Sequence, residues 1–341
     1  MELFDLLLTL LGKSPPRPGE ALRPASLPER PSPAQQSLFP LLYHETKRRG
    51  LSPIPAALEK AHYASARRAA ILGDKAEGIV RALKGCGVPC LEIKGQDMER
   101  RFYPAFGTRP QADIDVLIGR RDMPRVMKIL PSRGFDFFIG DERASIFVSD
   151  GVHFDVHQEL FGYRLRVIMG HDFEPAKVLS AGAIPDVLYF VVSCMEYVTH
   201  GGERLIPAVD LHLISGVVKP GILAAYLNYH PGALPGVLFA HHDMVNRFGY
   251  SPLPLPDLHL TKRLSRLSEK TARFTRKPRI SQRRLLFLLR HSGAFASGLR
   301  RILFPPRRIV SAASCAPSRA GYLKRMASRL IRAVSGSRKS A

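Results

Sequence analysis

Short apolar segments bounded by turn residues constrain the fold of this chain most, because they are too short for core helices and have the length of buried strands. The clearest is D-I-D-V-L-I at 113–118, which is closed by Gly119. The same kind of segment recurs over 88–93, 135–139, 144–148 and 152–157.

Helical periodicity surrounds and separates these strands. Apolar residues return at helical spacing from about Gln36 to Gly85 and again from Pro185 to about Tyr250. Between two strands, Asp122 is positioned to cap a helix over 126–130 that ends near Gly134. With 341 residues and 45% hydrophobic composition, the chain can bury a full core. The pattern predicts one α/β domain with helical additions.

The two ends of the chain differ in composition from its body. Residues 1–13 form a leucine-rich run at helical spacing, and 14–35 are rich in proline, which is typical of an extended linker. We divide the whole chain into six parts: an apolar helix (1–13), a linker (14–35), a helical lead-in (36–87), a core (88–180), a helical domain (181–258) and a basic helical region (259–341).

The formal net charge of +22 is concentrated in the basic region. From Thr261 to Ala341 there are 22 lysines and arginines against one acid, Glu269, whereas the preceding 260 residues are nearly neutral. The basic surface is therefore separate from the body that carries the candidate site. Its helical pattern is compatible with binding to an anionic membrane, with binding to nucleic acid, and with a packed helix that has a solvated basic face.

Neither a secretion signal nor a membrane span is predicted. The leucine-rich start has Glu2 and Asp5 where a signal peptide needs basic residues, and no later run reaches about 18 uninterrupted apolar residues. The four cysteines lack CxxC spacing and the density of a disulfide-stabilised scaffold. We expect a cytoplasmic protein without a transmembrane segment, peripheral at a membrane where the basic region binds lipid.

Two carboxylates on one strand form the first part of a candidate site. Side chains alternate along a strand, so Asp113 and Asp115 lie on one face and Ile114 on the other. Without a cation these neighbours repel each other, whereas a bound Mg²⁺ reverses the sign of that interaction. The alternative is an ordinary strand with two solvent-facing acids.

A second strand has His153, Asp155 and His157 on one face. Asp155 can complete a set of three carboxylates, which phosphoryl or nucleotidyl transfer needs because hard cations prefer oxygen ligands. The histidines then hydrogen-bond to the metal ligands and do not contact the ion. The rival interpretation is a His-Asp-His site for zinc or another transition metal.

The strand at 88–93 ends in Lys94 and Gly95, ahead of a polar segment that we predict to be helical. Glycine lets the backbone approach a ligand closely, and amides at a helix start attract phosphate oxygens. Lys94 can reach a phosphate as a point charge. The alternative is a surface lysine before a turn glycine.

Three motifs in this order resemble those of the uncharacterised nucleotidyltransferase family in the DNA polymerase beta-like superfamily. They are a strand followed by K-G, then R-P-Q-A-D-I-D-V-L-I, and then H-F-D-V-H. A later R-L-x-x-x-x-D-L segment at 204–211 also fits, and the resemblance covers roughly 36–220. It implies an α+β fold in which a mixed sheet is flanked by helices, with 88–180 as the catalytic core.

The resemblance also implies a site. Asp113, Asp115 and Asp155 become ligands of Mg²⁺ or Mn²⁺, and we expect their carboxyl groups to converge within reach of two ions roughly 4 Å apart. The arginine of the family motif corresponds to Arg109, which either contacts phosphate or pairs with a carboxylate. Gln96 stands where a second small residue is expected. The predicted contacts of the bound nucleotide are Lys94, Gly95, Gln96, Arg109, His153 and His157.

Two functions are consistent with these features. The first is a Mg²⁺-dependent nucleotidyltransferase that moves a nucleoside monophosphate from a nucleoside triphosphate (NTP) to an unidentified acceptor. The second is a catalytically inactive nucleotide-binding or scaffold protein, which the basic region recruits to an anionic membrane or to nucleic acid. Gln96, which stands where a second small residue is expected, favours the inactive protein.

Overall fold

The computed structural model describes residues 31–140, 144–160, 175–199 and 204–248. The predictions for the leucine-rich start, for most of the proline-rich linker and for the basic region therefore lie outside the described residues. The division into domains stays a prediction.

The helical lead-in contains three helices: α1 (Pro33–Gln36), α2 (Phe39–Arg48) and α3 (Ala56–Gly85). The chain between α2 and α3 cannot continue the helix, because Gly50 has a left-handed backbone with φ of 65° and two prolines follow it. The buried positions of α3 recur at helical spacing and form one apolar stripe: Ala69, Leu72, Ala76, Ile79 and Leu83.

Five strands form one mixed sheet within the described residues, in the order β1-β2-β5-β4-β3. Their bounds are β1 Cys90–Ile93, β2 Asp113–Ile118, β3 Asp136–Gly140, β4 Ala144–Ser149 and β5 Val152–His157. The pair β2 and β5 is parallel, and every other neighbouring pair is antiparallel. The α+β fold with a mixed sheet is confirmed, and β2 and β5 have the predicted bounds.

The remaining helices are α4 (Gly95–Phe102), α5 (Met123–Ile129), α6 (Pro175–Ala181), α7 (Asp186–Thr199), α8 (Ile206–Ser215), α9 (Pro220–Tyr229) and α10 (Leu234–Phe248).

Asp122 directly precedes α5, as predicted, but its side chain does not cap the helix. Asp122 ends a short 3₁₀ turn and has a helical backbone, with φ −90° and ψ −13°, so it lacks the extended conformation of an N-cap. Its side chain makes no capping hydrogen bond. After α5 the chain turns at Gly134, whose φ of 79° agrees with the predicted end of this helical segment.

The sheet is covered on both faces around β2. Ile114, Val116 and Ile118 point to one face, where they pack with the stripe of α3 and with Val126 of α5. On the other face Leu117 belongs to a second core built largely from α7, α8 and α10. Each fully buried aliphatic side chain of this kind contributes roughly 1.5–3 kcal/mol. The face with Asp113 and Asp115 is thus the one that α7 and α8 cover.

No single helix in the described ranges is long and apolar enough to cross a membrane. The pair α8 and α9 meets the length and composition requirement only when taken together, and the two are bent by 112°.

A close contact at Gly107 fixes the segment between α4 and β2 onto α3. Gly107 has φ of 79°, and a Cβ atom there would lie 2.6 Å from the Cα atom of Ala66. Gly107→Ala should therefore lower the free energy of unfolding by about 2–4 kcal/mol, because strain and overlap add. Urea denaturation measures the loss.

The matched control is Gly134→Ala. Gly134 has the same φ of 79° but no atom within 4 Å of the added Cβ, so only backbone strain of about 1 kcal/mol applies. Equal losses in the two variants would show that overlap with Ala66 does not matter.

Candidate active site

The parallel pairing of β2 with β5 brings the predicted acids together. Asp115 lies directly opposite Asp155 in the register, and Asp113 lies opposite His153. In-register residues of neighbouring strands project to the same face. The three aspartates border one cavity of about 720 Å³. The structure therefore brings the three predicted acids to the border of one cavity.

A buried histidine lies behind the acids. His157 is fully buried, and its Nε2 atom is 2.5 Å from Oδ1 of Asp115. One ligand atom each from Asp115, Asp155 and His157 all lie within 4.8 Å of one another, so this group can hold a metal ion. Asp113 borders the cavity beside this group and is not a member of it.

The other histidine of the strand is placed differently. His153 is exposed, and its ring centroid is 6.2 Å from that of Phe138 on β3. It does not border the cavity among the described residues. The assembled group is therefore Asp-Asp-His rather than the alternative His153-Asp155-His157 set.

Lys94 occupies a strained position between β1 and α4. Its φ of 54° is rare for a residue with a side chain. Its amide donates to the Tyr189 hydroxyl at 3.1 Å, and that hydroxyl donates to Oδ2 of Asp97 at 2.6 Å. Burial and the Asp97 carboxylate raise the pKa of Tyr189 well above its usual value. The neutral hydroxyl thus accepts from the Lys94 amide while it donates to Asp97, and it holds the backbone of Lys94 in place.

The ammonium of Lys94 lies between two carboxylates. Its Nζ atom is 3.5 Å from Oδ1 of Asp115 and 3.7 Å from Oε1 of Glu196 on α7. All three side chains border the cavity. Lys94 therefore pairs with one of the predicted acids, and its predicted contact with a phosphate stays a prediction.

Gly95 and Gln96 face in different directions at the start of α4. Gly95 borders the cavity, where an added Cβ would lie 3.3 Å from Oε1 of Gln111. The Gln96 side chain lies against α3, with its Nε2 atom 3.7 Å from the Cβ position of Gly73. Gln96 is not among the residues that border the cavity. The bulk of this side chain is therefore outside the space where a phosphate would lie.

Arg109 forms a bidentate pair with Asp210 of α8. Its Nε and Nη2 atoms are each 3.0 Å from a carboxylate oxygen of Asp210, which also accepts from the Tyr103 hydroxyl at 2.6 Å. Burial lowers the pKa of Arg109, but the Asp210 carboxylate outweighs burial and raises it. Arg109 is expected either to contact phosphate or to pair with a carboxylate. Within the described residues it pairs with the carboxylate of Asp210, at the edge of the cavity.

Glu99 orders the segment that carries Arg109. It is buried and accepts from the amide of Arg109 at 3.0 Å and from Nε2 of Gln111 at 2.9 Å. Burial raises the pKa of Glu99 above its usual value. One carboxylate thus holds both residues that lie next to Gly95.

The acids of the site repel one another in the absence of a cation. Burial and then the neighbouring charge of Asp115 raise the pKa of Asp113, while Lys94 and Arg109 lower it. A divalent cation in this position would favour the ionised carboxylates.

Two acids of the cavity were not predicted as site residues from the sequence. They are Glu196 of α7 and Asp210 of α8. A usable signal exists for Glu196, since it is the only charged residue in the apolar run from Val187 to Thr199. An isolated acid in a buried helix has a partner or a function.

Comparison with known protein families places these features in context. A family model described as uncharacterised nucleotidyltransferase matches residues 34–226, which is more than half of the chain. A search of curated proteins found no match. The matched range contains all three aspartates, Lys94, Arg109 and the acids of α7 and α8.

The buried Arg109–Asp210 pair should contribute strongly to stability. Asp210→Asn leaves the guanidinium without its counter-charge, so we expect a loss of about 3–5 kcal/mol in the free energy of unfolding. The control is Glu77→Gln, which breaks the solvent-exposed pair of Glu77 with Arg81 and should cost less than about 1 kcal/mol. Chemical denaturation of both variants measures the difference, and similar small losses would contradict a structural role for the buried pair.

Proposed function

This chain belongs to the uncharacterised nucleotidyltransferase family, and from that premise we propose that it transfers a nucleoside monophosphate from an NTP to a hydroxyl or phosphate of an acceptor. The observation that carries the proposal is the register of β2 and β5, which sets Asp115 opposite Asp155 beneath a cavity that Asp113 also borders.

The donor set fits a divalent cation. Two carboxylates and one imidazole nitrogen lie within 4.8 Å of one another, and carboxylate oxygens suit Mg²⁺ and Mn²⁺. Asp115 and Asp155 would hold the ion, with His157 orienting Asp115 through the 2.5 Å contact. Asp113 is the proposed further ligand, for a second ion beside the first. When bound, the cation supplies Lewis-acid stabilisation of the negative charge on the transferring phosphate.

The start of α4, next to these acids, suits the triphosphate. Lys94 and Gly95 lie at the start of α4, where free amides and the positive end of the helix favour phosphate oxygens. The cavity is large enough for a nucleotide, at about 720 Å³. Lys94 would contact the phosphates as a point charge, and Arg109 would hold the adjoining wall through Asp210.

In the proposed reaction an acceptor oxygen attacks the α-phosphorus of the NTP. The new bond joins that oxygen to phosphorus, the bond from phosphorus to the β-phosphate oxygen breaks, and pyrophosphate leaves. Asp155 helps to remove the acceptor proton. The protein contributes mainly position and charge, because the carboxylates and Lys94 are already held by the sheet and by Tyr189.

The alternative is an inactive nucleotide-binding or scaffold protein, and it is favoured by Gln96 at a position where a second small residue is expected. Its side chain packs against α3 near Gly73 and lies outside the cavity lining. The space expected for phosphate is therefore retained, which supports the transferase. Recruitment by the basic region to an anionic membrane or to nucleic acid stays a prediction that is compatible with either function.

The transferase requires both acids that face each other across β2 and β5. Wild-type protein incubated with labelled NTPs, Mg²⁺ or Mn²⁺ and cell extract should label an acceptor, and Asp115→Asn or Asp155→Asn should lower the rate roughly 100-fold or more, because each removes a charged ligand. Chelation of the divalent cation should abolish labelling in the same way.

The matched control is Asp150→Asn. Asp150 lies in the turn between β4 and β5, its side chain is 83% exposed, and it pairs with Lys75. It should label the acceptor at the wild-type rate. Binding of Mg²⁺-ATP that persists unchanged in Asp113→Asn and Asp115→Asn variants would refute the proposed site, whereas binding without any labelling would favour the inactive alternative.

A further inference from the structure

We propose that Lys94 is an internal counter-ion that competes with the divalent cation for Asp115, and that Glu196 is the positioning residue that receives its ammonium when the cation binds. The inference deepens the proposed function and rests on it, since the cation and the NTP are those of the same site.

The first observation is the position of the ammonium. Nζ of Lys94 is 3.5 Å from Oδ1 of Asp115, the same oxygen that His157 contacts. Asp115 belongs to the group that can hold a metal ion. A cation on Asp115 would therefore be close to a positive charge that already neutralises this carboxylate, and the two would repel each other.

The second observation is that Lys94 is largely shielded from water. Its side chain is only 18% exposed, and its backbone is fixed by the hydrogen bond to Tyr189 in a conformation with φ of 54°. A largely buried ammonium that loses its counter-charge is costly unless another anion takes over. Displacement from Asp115 therefore requires a second acceptor nearby.

Glu196 meets that requirement. Its Oε1 atom is 3.7 Å from the same Nζ atom, and its side chain is 24% exposed at the cavity wall. It comes from α7, so it can hold the ammonium on the side away from β2. Tyr189, which holds the Lys94 backbone, is on the same helix, two turns earlier. One helix thus supplies both the support for the backbone and the second anchor for the side chain.

Cation binding and nucleotide binding are coupled as a consequence. Without a cation Lys94 neutralises Asp115, which limits repulsion among the acids. With a cation the ammonium is released from Asp115 and becomes available to the triphosphate and to Glu196. Removal of Lys94 should therefore strengthen binding of the bare cation and weaken binding of the NTP, which are opposite effects of one substitution.

The experiment measures Mn²⁺ affinity without nucleotide, by titration calorimetry or by the electron paramagnetic resonance signal of free Mn²⁺. Lys94→Met should bind Mn²⁺ about tenfold more tightly than wild type, which corresponds to 1.4 kcal/mol. The gain should vanish in Lys94→Met/Asp155→Asn, which shows that the ion is at the proposed group. At saturating Mn²⁺, Lys94→Met should bind an NTP at least fivefold more weakly.

Arg204→Met is the charge control. Arg204 is exposed and borders the same cavity, so its removal also takes one positive charge from the cavity, whereas the ion pair with Asp115 is made by Lys94. Its Mn²⁺ affinity should change less than threefold. A gain as large as that of Lys94→Met would mean that general electrostatics, rather than competition at Asp115, sets cation affinity, and would overturn the inference.

Glu196→Gln tests the second anchor, and its effect as a single variant does not depend on whether Lys94→Met folds. With Lys94 present it should weaken Mn²⁺ binding about threefold, because the ammonium then remains on Asp115. In the Lys94→Met background the same change should have a smaller effect. An effect that is equal or larger there would make Glu196 a direct ligand, and an unchanged Mn²⁺ affinity in Glu196→Gln alone would exclude its role as an anchor.

The two proposals fail in different ways. If the Mn²⁺ affinities follow this pattern while no variant and no wild-type sample binds an NTP, the competition at Asp115 stands and the transferase is refuted. If the wild type labels an acceptor but Lys94→Met gains no Mn²⁺ affinity, the transferase stands and the internal counter-ion is refuted.

Discussion

The site depends on the parallel pairing of β2 with β5. That register alone decides that Asp115 faces Asp155 and that both project to the face covered by α7 and α8. A slip of one residue would turn one of the acids into the apolar layer beneath α3. Ile114 and Phe154, which directly precede Asp115 and Asp155, therefore specify the site as strongly as the carboxylates do, because their burial against α3 fixes the register.

Much of the sheet and the acidic part of the site could be predicted from the sequence. Alternation along D-I-D-V-L-I and V-H-F-D-V-H is a local property, so the bounds and faces of β2 and β5 followed from the residues themselves. The order of the motifs and the resemblance to a family then predicted their adjacency. Asp122 was misjudged because a preceding 3₁₀ turn, which depends on backbone context, took the place of the cap.

The polar partners within the site could not be predicted in the same way. The contacts of Lys94 with Glu196 and of Arg109 with Asp210 join residues about 100 positions apart, and they arise from how α7 and α8 pack on the sheet. No periodicity encodes such a pairing. Likewise, His153 and His157 lie on the same strand face, but His153 is exposed and His157 is buried. Only His157 lies beneath the helical layer.

The connection from β2 to β5 has a consequence for synthesis of the protein. The 39 residues from 116 to 154, which include α5 and the β3–β4 pair, separate Asp115 from its partner Asp155. On the ribosome the first acid strand emerges well before the second, so no complete cation site exists in the nascent chain. Lys94 precedes both strands in the chain, so the counter-charge that pairs with Asp115 in the folded protein is already synthesised when Asp115 emerges.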